Sequence, residues 1–484
     1  MRTRTRRPFW KTRKIHMVGI GGSGMSGIAE LLLVMGFSVS GSDISSSPVI
    51  EYLRKKGARI SIGHDRSNLE DDVDVVVFSS AVPQDNPEIT TAREKGIPVI
   101  PRAQMLAELM RLKNGIAVAG SHGKSTTTSM ISQILLEAGM DPTVVVGGRF
   151  KNVGSGAKYG EGNWMVAEAD ESDGSFLRLL PVVAIITNID DDHLDFYGTY
   201  EEVKKAFVDF ANSVPFYGKV FLCTDDPGVV SIVPRITSRY ATYGIGSANF
   251  KASDIDLEPT SSTFRVHAFD KEIGKFRINV PGIHNVQNAV GAIALAYELE
   301  VPYRSMKKAL EEFRGVARRF DVKGEPGGIL VVDDYAHHPR EIRTTLSTAR
   351  LLAQHRGGKL IVVFQPHRYT RTYHIGHEFG EGFDEADLVL LLGIYPAGEK
   401  PIEGVSARII EKSIEQRGIP VIYMGHEPEP GKTRAEVLDE TWKDLKEKLK
   451  KMFDDGSLSS GDVLVFLGAG DVSKLARKFV EEFS

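Results

Sequence analysis

Gly120-Ser121-His122-Gly123-Lys124-Ser125-Thr126-Thr127-Thr128 follows directly on an apolar run, Gly115 to Ala119, and leads into a helix that starts near Ser125. A strand feeding a glycine turn and then a helix is a phosphate cradle. The glycines let backbone N–H groups approach phosphate oxygens, the helix N-terminus favours negative charge, Lys124 can bridge terminal phosphates, and the Ser125 hydroxyl can ligate a divalent metal. The spacing departs from the common phosphate-loop pattern, which places a glycine five residues before Gly123, where this chain has Val118. By itself the turn also fits an ordinary strand-to-helix connection, so the rest of the chain must decide.

The chain has 484 residues, more than one core usually accommodates, and at roughly 150 residues per domain it divides most naturally into three. With 42% hydrophobic and 26% charged residues and a formal charge of -4, it has the composition of a globular enzyme and no global basic field for nucleic acid. Apolar runs such as Ile28 to Gly36 are broken by Glu30 and fall short of the roughly 20 residues a membrane span needs, so no membrane partner is expected. The single cysteine, Cys223, rules out an intramolecular disulfide and suits a reducing cytoplasm. Residues 1–14 hold seven of the basic side chains, among them Arg2, Arg4, Arg6 and Arg7, but no apolar core follows, so they read as a basic tail rather than a signal peptide.

Outward from the phosphate loop, the pattern gives an α/β chain of three domains. Residues 1–113 alternate strand and helix (Ile15 to Val18, a helix from Met25, Ser38 to Ser42, Pro48 to Lys56, Val73 to Phe78, a helix over Ala103 to Leu112) and read as Rossmann-like. Residues 114–322 carry the phosphate loop, strands Trp164 to Ala167 and Val182 to Ile186, and a helix from Thr199 to Ala211. A period-two run from Phe250 to Val280 follows, so this domain reads as a P-loop ATPase-like mixed sheet with an antiparallel edge. Helices over Asn285 to Leu299 and Ser305 to Phe313 close it. The run Lys323-Gly324-Glu325-Pro326-Gly327-Gly328 reads as a hinge into residues 323–484, a second Rossmann-like fold with strands Ile329 to Val332, Leu360 to Phe364, Asp387 to Leu392, Val421 to Tyr423 and Val463 to Leu467.

Four further groups of residues bear chemistry. Gly19-Ile20-Gly21-Gly22-Ser23-Gly24 matches the dinucleotide glycine pattern and precedes Asp43 at the distance expected of a ribose-binding acid; a nicotinamide cofactor, a diphosphate-linked substrate and a purely structural turn all satisfy it. Glu168-Ala169-Asp170-Glu171-Ser172-Asp173 and Asn188-Ile189-Asp190-Asp191-Asp192-His193 leave two strands at the edge where open α/β sheets bind ligands. There Glu168 and His193 can join Ser125 as metal ligands. In the third domain, Asp333-Asp334-Tyr335-Ala336-His337-His338-Pro339 and Gln365-Pro366-His367-Arg368-Tyr369-Thr370-Arg371 each follow a strand, and Arg368 and Arg371 are spaced to converge on one carboxylate or phosphate; a solvated basic turn is the competing reading.

Taken in order, these motifs together with Pro281 to Ala289, Arg318-Arg319-Phe320, Tyr395 to Glu399 and Gly468 to Asp471 resemble the Mur ligase family of peptidoglycan synthesis almost end to end. The resemblance implies that the first domain holds a UDP-linked substrate, with Gly21, Gly22, Ser23, Gly24 and Asp43 facing the nucleotide. It implies that ATP is bound by Gly120, Ser121, His122, Gly123, Lys124, Ser125, Thr126 and Thr127, with Asn285 at adenine and Arg319 and Asp334 completing the site. Mg²⁺ or Mn²⁺ would sit on Ser125, Glu168 and His193, and an amino acid on Tyr335, His337, Arg368 and Arg371. The catalytic set implied is Lys124, Glu168, His193, His337 and Arg368. The activity implied is ATP-dependent joining of L-alanine to UDP-N-acetylmuramate through an acyl phosphate, in the cytoplasm, by a monomer or homodimer without nucleic-acid or membrane partners. Domain closure over ATP is expected about linkers near Asn114 and Gly324. Several relatives carry a carbamylated lysine near the second metal; Lys204 and Lys205 are in the general region, and no motif selects either.

A sister ligase that attaches a preformed tripeptide to the same nucleotide is the nearest alternative. A nicotinamide oxidoreductase would use only the first glycine loop and leave the second unexplained, and a nucleotide-regulated binding module would hydrolyse ATP without acyl transfer.

Overall fold

The computed structural model describes residues 9–426 and 432–483. Arg2, Arg4, Arg6 and Arg7 of the basic tail lie outside them. Among the described residues the strands form three sheets, and the helices lie between them in sequence, as an α/β chain requires.

The first sheet contains β1 (Lys14–Val18), β2 (Ser38–Asp43), β3 (Arg59–Ile62), β4 (Val75–Phe78) and β5 (Val99–Pro101) in the order β3-β2-β1-β4-β5, all parallel. Helices α1 (Ser23–Val34), α2 (Pro48–Lys55) and α3 (Pro87–Glu94) connect β1 to β2, β2 to β3 and β4 to β5, and α4 (Arg102–Met110) follows β5. The strand order reverses between β1 and β4, and the glycine loop leaves β1 at that point, where doubly wound sheets open a crevice for ligands. Strands β3 and β5 and helix α3 are additions to the sequence reading. All are short, and their periodicity is too brief to stand out.

The central sheet runs β15-β14-β13-β12-β11-β10-β6-β9-β7-β8. Its members are β6 (Asn114–Ala119), β7 (Thr143–Phe150), β8 (Ser155–Lys158), β9 (Trp164–Glu168), β10 (Val183–Ile186), β11 (Lys219–Cys223), β12 (Tyr240–Gly244), β13 (Phe250–Leu257), β14 (Ser262–Ala268) and β15 (Lys271–Ile278). From β7 through β9, β6, β10, β11 and β12 to β13 successive strands pair parallel, whereas β14–β15 at one end and β7–β8 at the other pair antiparallel. The antiparallel edge read from the period-two run is therefore present, and the sheet is larger than that reading. Register matters most here. Ala119 pairs with Ile186 and Val118 with Glu168, so the loops after β6, β9 and β10 open from one edge. Helices α5 (Lys124–Glu137), α6 (Leu194–Tyr197), α7 (Tyr200–Asn212), α8 (Pro227–Ile232), α9 (Ile283–Glu298) and α10 (Tyr303–Glu311) accompany the sheet. In α7 the side chain of Thr199 caps the helix by accepting from Glu202 N, and Val203, Ala206, Phe207, Phe210 and Ala211 form its buried stripe.

The third sheet, β16-β17-β21-β18-β19-β20, belongs to a separate compact unit made mainly of residues 315–484. It comprises β16 (Asp321–Gly324), β17 (Leu330–Asp334), β18 (Leu360–Phe364), β19 (Leu388–Leu391), β20 (Val421–Tyr423) and β21 (Val463–Leu467), with α11 (Pro339–Arg356), α12 (Tyr369–Ile375), α13 (Arg408–Glu415), α14 (Arg434–Asp454) and α15 (Val472–Phe483). Strand β16 pairs antiparallel with β17, so the first residues of the run read as a hinge are strand, and a short turn over Pro326–Gly328 follows. The longest helix, α14, starts at a capping box between Thr433 and Glu436 and buries Trp442, Leu445, Leu449 and Met452 on one face.

Candidate active site

In the central domain, Gly120 adopts φ +136 and Gly123 φ +81, conformations that L side chains rarely take, and these bend the chain from β6 into α5. Neighbouring loops clamp the turn. Asn188 Oδ1 accepts from His122 N at 2.8 Å, while Asn188 Nδ2 and Thr187 Oγ1 donate to His122 O at 3.0 and 2.6 Å. Ser121 Oγ accepts from Asp190 N, and the His122 ring meets Asp190 Oδ2 at 3.1 Å. A Cβ added at Gly123 would lie 2.7 Å from Asn288 Oδ1, so α9, which also bears Asn285, packs directly on the loop. Thr127 differs from its loop neighbours: it is fully buried on the inner side of α5, and its N–H donates to Gly123 O.

Lys124 Nζ donates to both oxygens of Glu171, at 2.7 and 2.9 Å, and to Gly120 O and Ser121 O. Burial pulls the lysine down, but Glu171, Asp170 and Glu168 together hold it above the ordinary lysine range, so it is charged. Glu168, at the end of β9, accepts from Gly147 N at 2.8 Å. His193 takes φ +63, an uncommon conformation for a non-glycine residue, and brings Nε2 to 4.0 Å from Glu171 Oε1. Lys124, Glu168, Glu171 and His193 thus share one neighbourhood. Glu171 is the member the sequence reading passed over, although it lies three residues after Glu168. Oxygen donors dominate this set, which suits a hard divalent cation, with Ser125 in the first turn of α5 as the hydroxyl donor. Lys204 and Lys205 pair with Glu201 and Glu202 of their own helix.

At the first sheet, Gly22 is the N-cap of α1, and Asp43 Oδ2 accepts from Gly21 N at 2.9 Å, so the acid expected at a ribose closes the glycine loop. Gly24 lies against Arg102: a Cβ there would be 3.0 Å from the guanidinium. Arg102 also donates to Asp170 Oδ2 at 3.3 Å. A cation therefore lies between the glycine loop and the acidic run beside Lys124, a link that no spacing in the sequence reveals.

In the third unit, Arg318, Phe320, Arg368 and Ala397 all take positive φ. Backbone strain gathered in this way marks ligand-binding regions. The Arg318 and Arg319 guanidinium groups lie 4.8 and 5.3 Å from the Tyr335 ring centre, and Arg318 donates to Gly468 O at 2.6 Å. Asp334 is buried and accepts from Phe320 N and Ala336 N, and burial raises it to about 6. It therefore shapes the backbone around Arg319 and Tyr335. His337 N donates to Glu341, and its ring contacts Tyr335 O at 3.0 Å. His367 stacks on Tyr395 with ring centres 5.4 Å apart and meets His337 edge-on at 5.5 Å. Burial first, then the nearby His337, Arg371, Arg368 and Arg318, push His367 down to about 2, so it is neutral. Six of these residues, Arg319, Asp334, Tyr335, His337, Arg368 and Arg371, were expected from sequence; His367 and Tyr395 extend the cluster.

Family models match in order along the chain: Mur ligase family, catalytic domain, over residues 14–114; Mur ligase middle domain over 118–296; and Mur ligase, glutamate ligase domain, over 318–470. The UDP-N-acetylmuramate–L-alanine ligase of Geotalea daltonii is 48% identical over 478 residues, which cover 98% of this chain and 99% of that one. That of Solidesulfovibrio magneticus is 49% identical over 472 residues, covering 97% and 98%. Among solved structures, the UDP-N-acetylmuramate-alanine ligase of Thermotoga maritima superposes with a TM-score of 0.78 at 31% identity, covering 97% of this chain and 99% of that one. A murein peptide ligase of Psychrobacter arcticus shares the fold, with a TM-score of 0.70 at 24% identity over 97% of this chain and 98% of that one.

Proposed function

The chain belongs to the Mur ligase family, and we propose that it uses ATP to join L-alanine to UDP-N-acetylmuramate, giving UDP-N-acetylmuramoyl-L-alanine, ADP and phosphate in the cytoplasmic stage of peptidoglycan synthesis. The carrying observation is identity of 48% along nearly the whole length of an L-alanine ligase. The tripeptide ligase alternative rests on weaker likenesses, 24% identity to a murein peptide ligase and 26% over 63% of this chain to a UDP-N-acetylmuramate tripeptide ligase, against 31% over 97% for the solved alanine ligase.

The chemistry follows from what the loops present. The lactyl carboxylate of the muramyl nucleotide attacks the γ-phosphorus of ATP and releases ADP. The amine of alanine then attacks the acyl phosphate carbon, and phosphate leaves as the amide forms. Positioning and charge neutralisation do most of this work. A triphosphate and two carboxylates repel one another, so cations must gather them. Lys124 exchanges its Glu171 partner for phosphate oxygens, and the N–H groups at the start of α5 face the same anion. Ser125, Glu168 and His193 would hold Mg²⁺ or Mn²⁺, which supplies charge neutralisation at the transferring phosphoryl group. Asn285 takes adenine. Gly21, Gly22, Ser23, Gly24 and Asp43 hold the UDP part. Arg368 and Arg371 receive the alanine carboxylate, with Tyr335 and His337 orienting the molecule, while Arg319 and Asp334 support the nucleotide.

The test is ADP release from ATP with UDP-N-acetylmuramate, with and without L-alanine or tripeptide. Turnover that needs both the nucleotide and L-alanine is the expected result. ADP release independent of the muramyl nucleotide would sink the ligase reading.

A further inference from the structure

Beneath the glycine loop lies a buried polar network that no step above uses. Glu88, fully buried in the first turn of α3, accepts four hydrogen bonds. Oε2 accepts from His16 Nε2 at 2.9 Å and Ser42 Oγ at 2.6 Å; Oε1 accepts from Asn68 Nδ2 at 2.8 Å and Asp65 N at 3.2 Å. His16 Nδ1 in turn meets Ser40 Oγ. These bonds hold the carboxylate below its ordinary range in spite of burial, so Glu88 is ionised.

Two features join the network to the edge of the sheet. Ser42 O accepts from Gly19 N and Ile20 N, the first residues of the glycine loop, and the next residue, Asp43, closes that loop. Ser42 Oγ also lies 2.9 Å from His64 Nδ1, and His64 follows β3 at the same edge. A hydroxyl has one proton. Since Ser42 donates it to Glu88, Ser42 accepts from His64, and Nδ1 carries the imidazole proton. In neutral His64 the other nitrogen, Nε2, is then a hydrogen-bond acceptor, and it has no protein partner among the described residues.

We propose that Glu88 is a positioning residue for the nucleotide-linked substrate: through Ser42, and with its own Oε1 3.6 Å from His64 Nδ1, it fixes His64 as an acceptor that reads a hydrogen-bond donor on the nucleoside. This rests on the reading that the glycine loop holds the UDP part. The donor is either a ribose hydroxyl or the N3–H of uracil, and the two can be told apart. Cytosine N3 carries no proton, and 2′-deoxyribose lacks one hydroxyl.

The experiment measures UDP binding to the full-length protein by calorimetry. Ser42→Ala, His64→Ala and Glu88→Gln should each weaken UDP roughly 3- to 10-fold, the effect of one hydrogen bond, with ATP binding unchanged. Ser42→Ala combined with His64→Ala should be no weaker than His64→Ala alone. Preference for UDP over CDP should shrink if N3–H is read, and preference over 2′-deoxy-UDP if the hydroxyl is. The ¹⁵N shifts of His64 should give a protonated Nδ1 in the parent protein and a mixed tautomer in Ser42→Ala, a variant that keeps the charge of Glu88 in case Glu88→Gln does not fold. Unchanged UDP affinity in Ser42→Ala and His64→Ala, with a loss in Asp43→Asn, would reduce the network to scaffold. Unchanged affinity in Asp43→Asn as well would remove UDP from the glycine loop and overturn the proposal together with the reading beneath it.

Discussion

Lys124 and Glu171 form a two-pronged ion pair at 2.7 and 2.9 Å inside the phosphate loop, and Glu171 is only 2% exposed. The lysine's remaining reach is taken by Gly120 O and Ser121 O, so phosphate must displace a carboxylate to gain it. Glu171→Gln removes a negative charge that competes with the triphosphate. ADP should then bind several-fold more tightly in calorimetry, since about 1.4 kcal/mol corresponds to a tenfold change. Lys124→Ala should lower turnover roughly 100-fold or more, the scale seen when a preorganised charge-stabilising donor is lost. Equal ADP affinity in Glu171→Gln and the parent would show that the pair does not oppose nucleotide entry.

Asn188 accepts from His122 N and donates to His122 O, and so fixes the middle of the phosphate loop from a neighbouring strand's loop. Asn188→Asp keeps the acceptor and loses the donor, placing a carboxylate against a carbonyl. KM for ATP should rise about tenfold while KM for the muramyl nucleotide stays near its parent value, following the 1–3 kcal/mol cost of an unsatisfied buried polar group. Steady-state kinetics with each substrate varied in turn decides it. A parallel rise in both constants would mean a general loosening instead.

Both glycine loops, the acidic run and the Tyr335 and Arg368 loops were legible in sequence because each follows a strand and ends at the ligand edge, a placement that period and punctuation fix. Partner choice across elements was not. Sequence spacing put Glu168 forward, yet Lys124 turns to Glu171; Asp43 caps a loop N–H; Asp334 faces backbone. Arg102 meets Asp170 across 68 positions and Glu88 meets His16 across 72, separations at which no local pattern exists. Short elements such as β3 and β8 take their stability from neighbours rather than from their own periodicity.

His367 is held neutral, with its pKa near 2 in the folded protein against about 6.5 unfolded. The unfolded chain therefore binds the extra proton as pH falls below about 6.5, and the folded chain does not until pH approaches 2. Stability contributed by the neutral ring is present above pH 6.5 and is lost progressively on acidification through that window. Between pH 7 and pH 5 the loss should be about 2 kcal/mol. Denaturant unfolding at both pH values should show that difference in the parent protein and a smaller one in His367→Gln. The same pH difference in both would locate acid sensitivity elsewhere.

Selection of L-alanine has a physical ceiling, because one methylene is worth roughly 1–3 kcal/mol of discrimination. Glycine and L-serine should therefore be used, about 10- to 200-fold less efficiently by kcat/KM. Complete absence of turnover with both at high concentration would contradict a pocket that discriminates by fit alone.

Gly120→Ala should be severe for two separable reasons. The residue holds φ +136, and an added Cβ would strike Thr187 Oγ1, which holds His122 O, and lie 3.1 Å from the backbone N and O of Asn188. Left-handed backbone strain alone costs an alanine about 1–2 kcal/mol. Gly139→Ala tests a positive φ without any close approach, since Gly139 has φ +72 and nothing within 4 Å of its Cβ position. Gly139→Ala should lower the thermal midpoint by a few degrees and leave ATP use intact. Gly120→Ala should lower the midpoint further and abolish measurable ADP binding, because Thr187 and Asn188 cannot make room without releasing His122. If the two variants lose the same stability and both still bind ADP, the close approach of β10's loop to Gly120 is not what shapes the phosphate site.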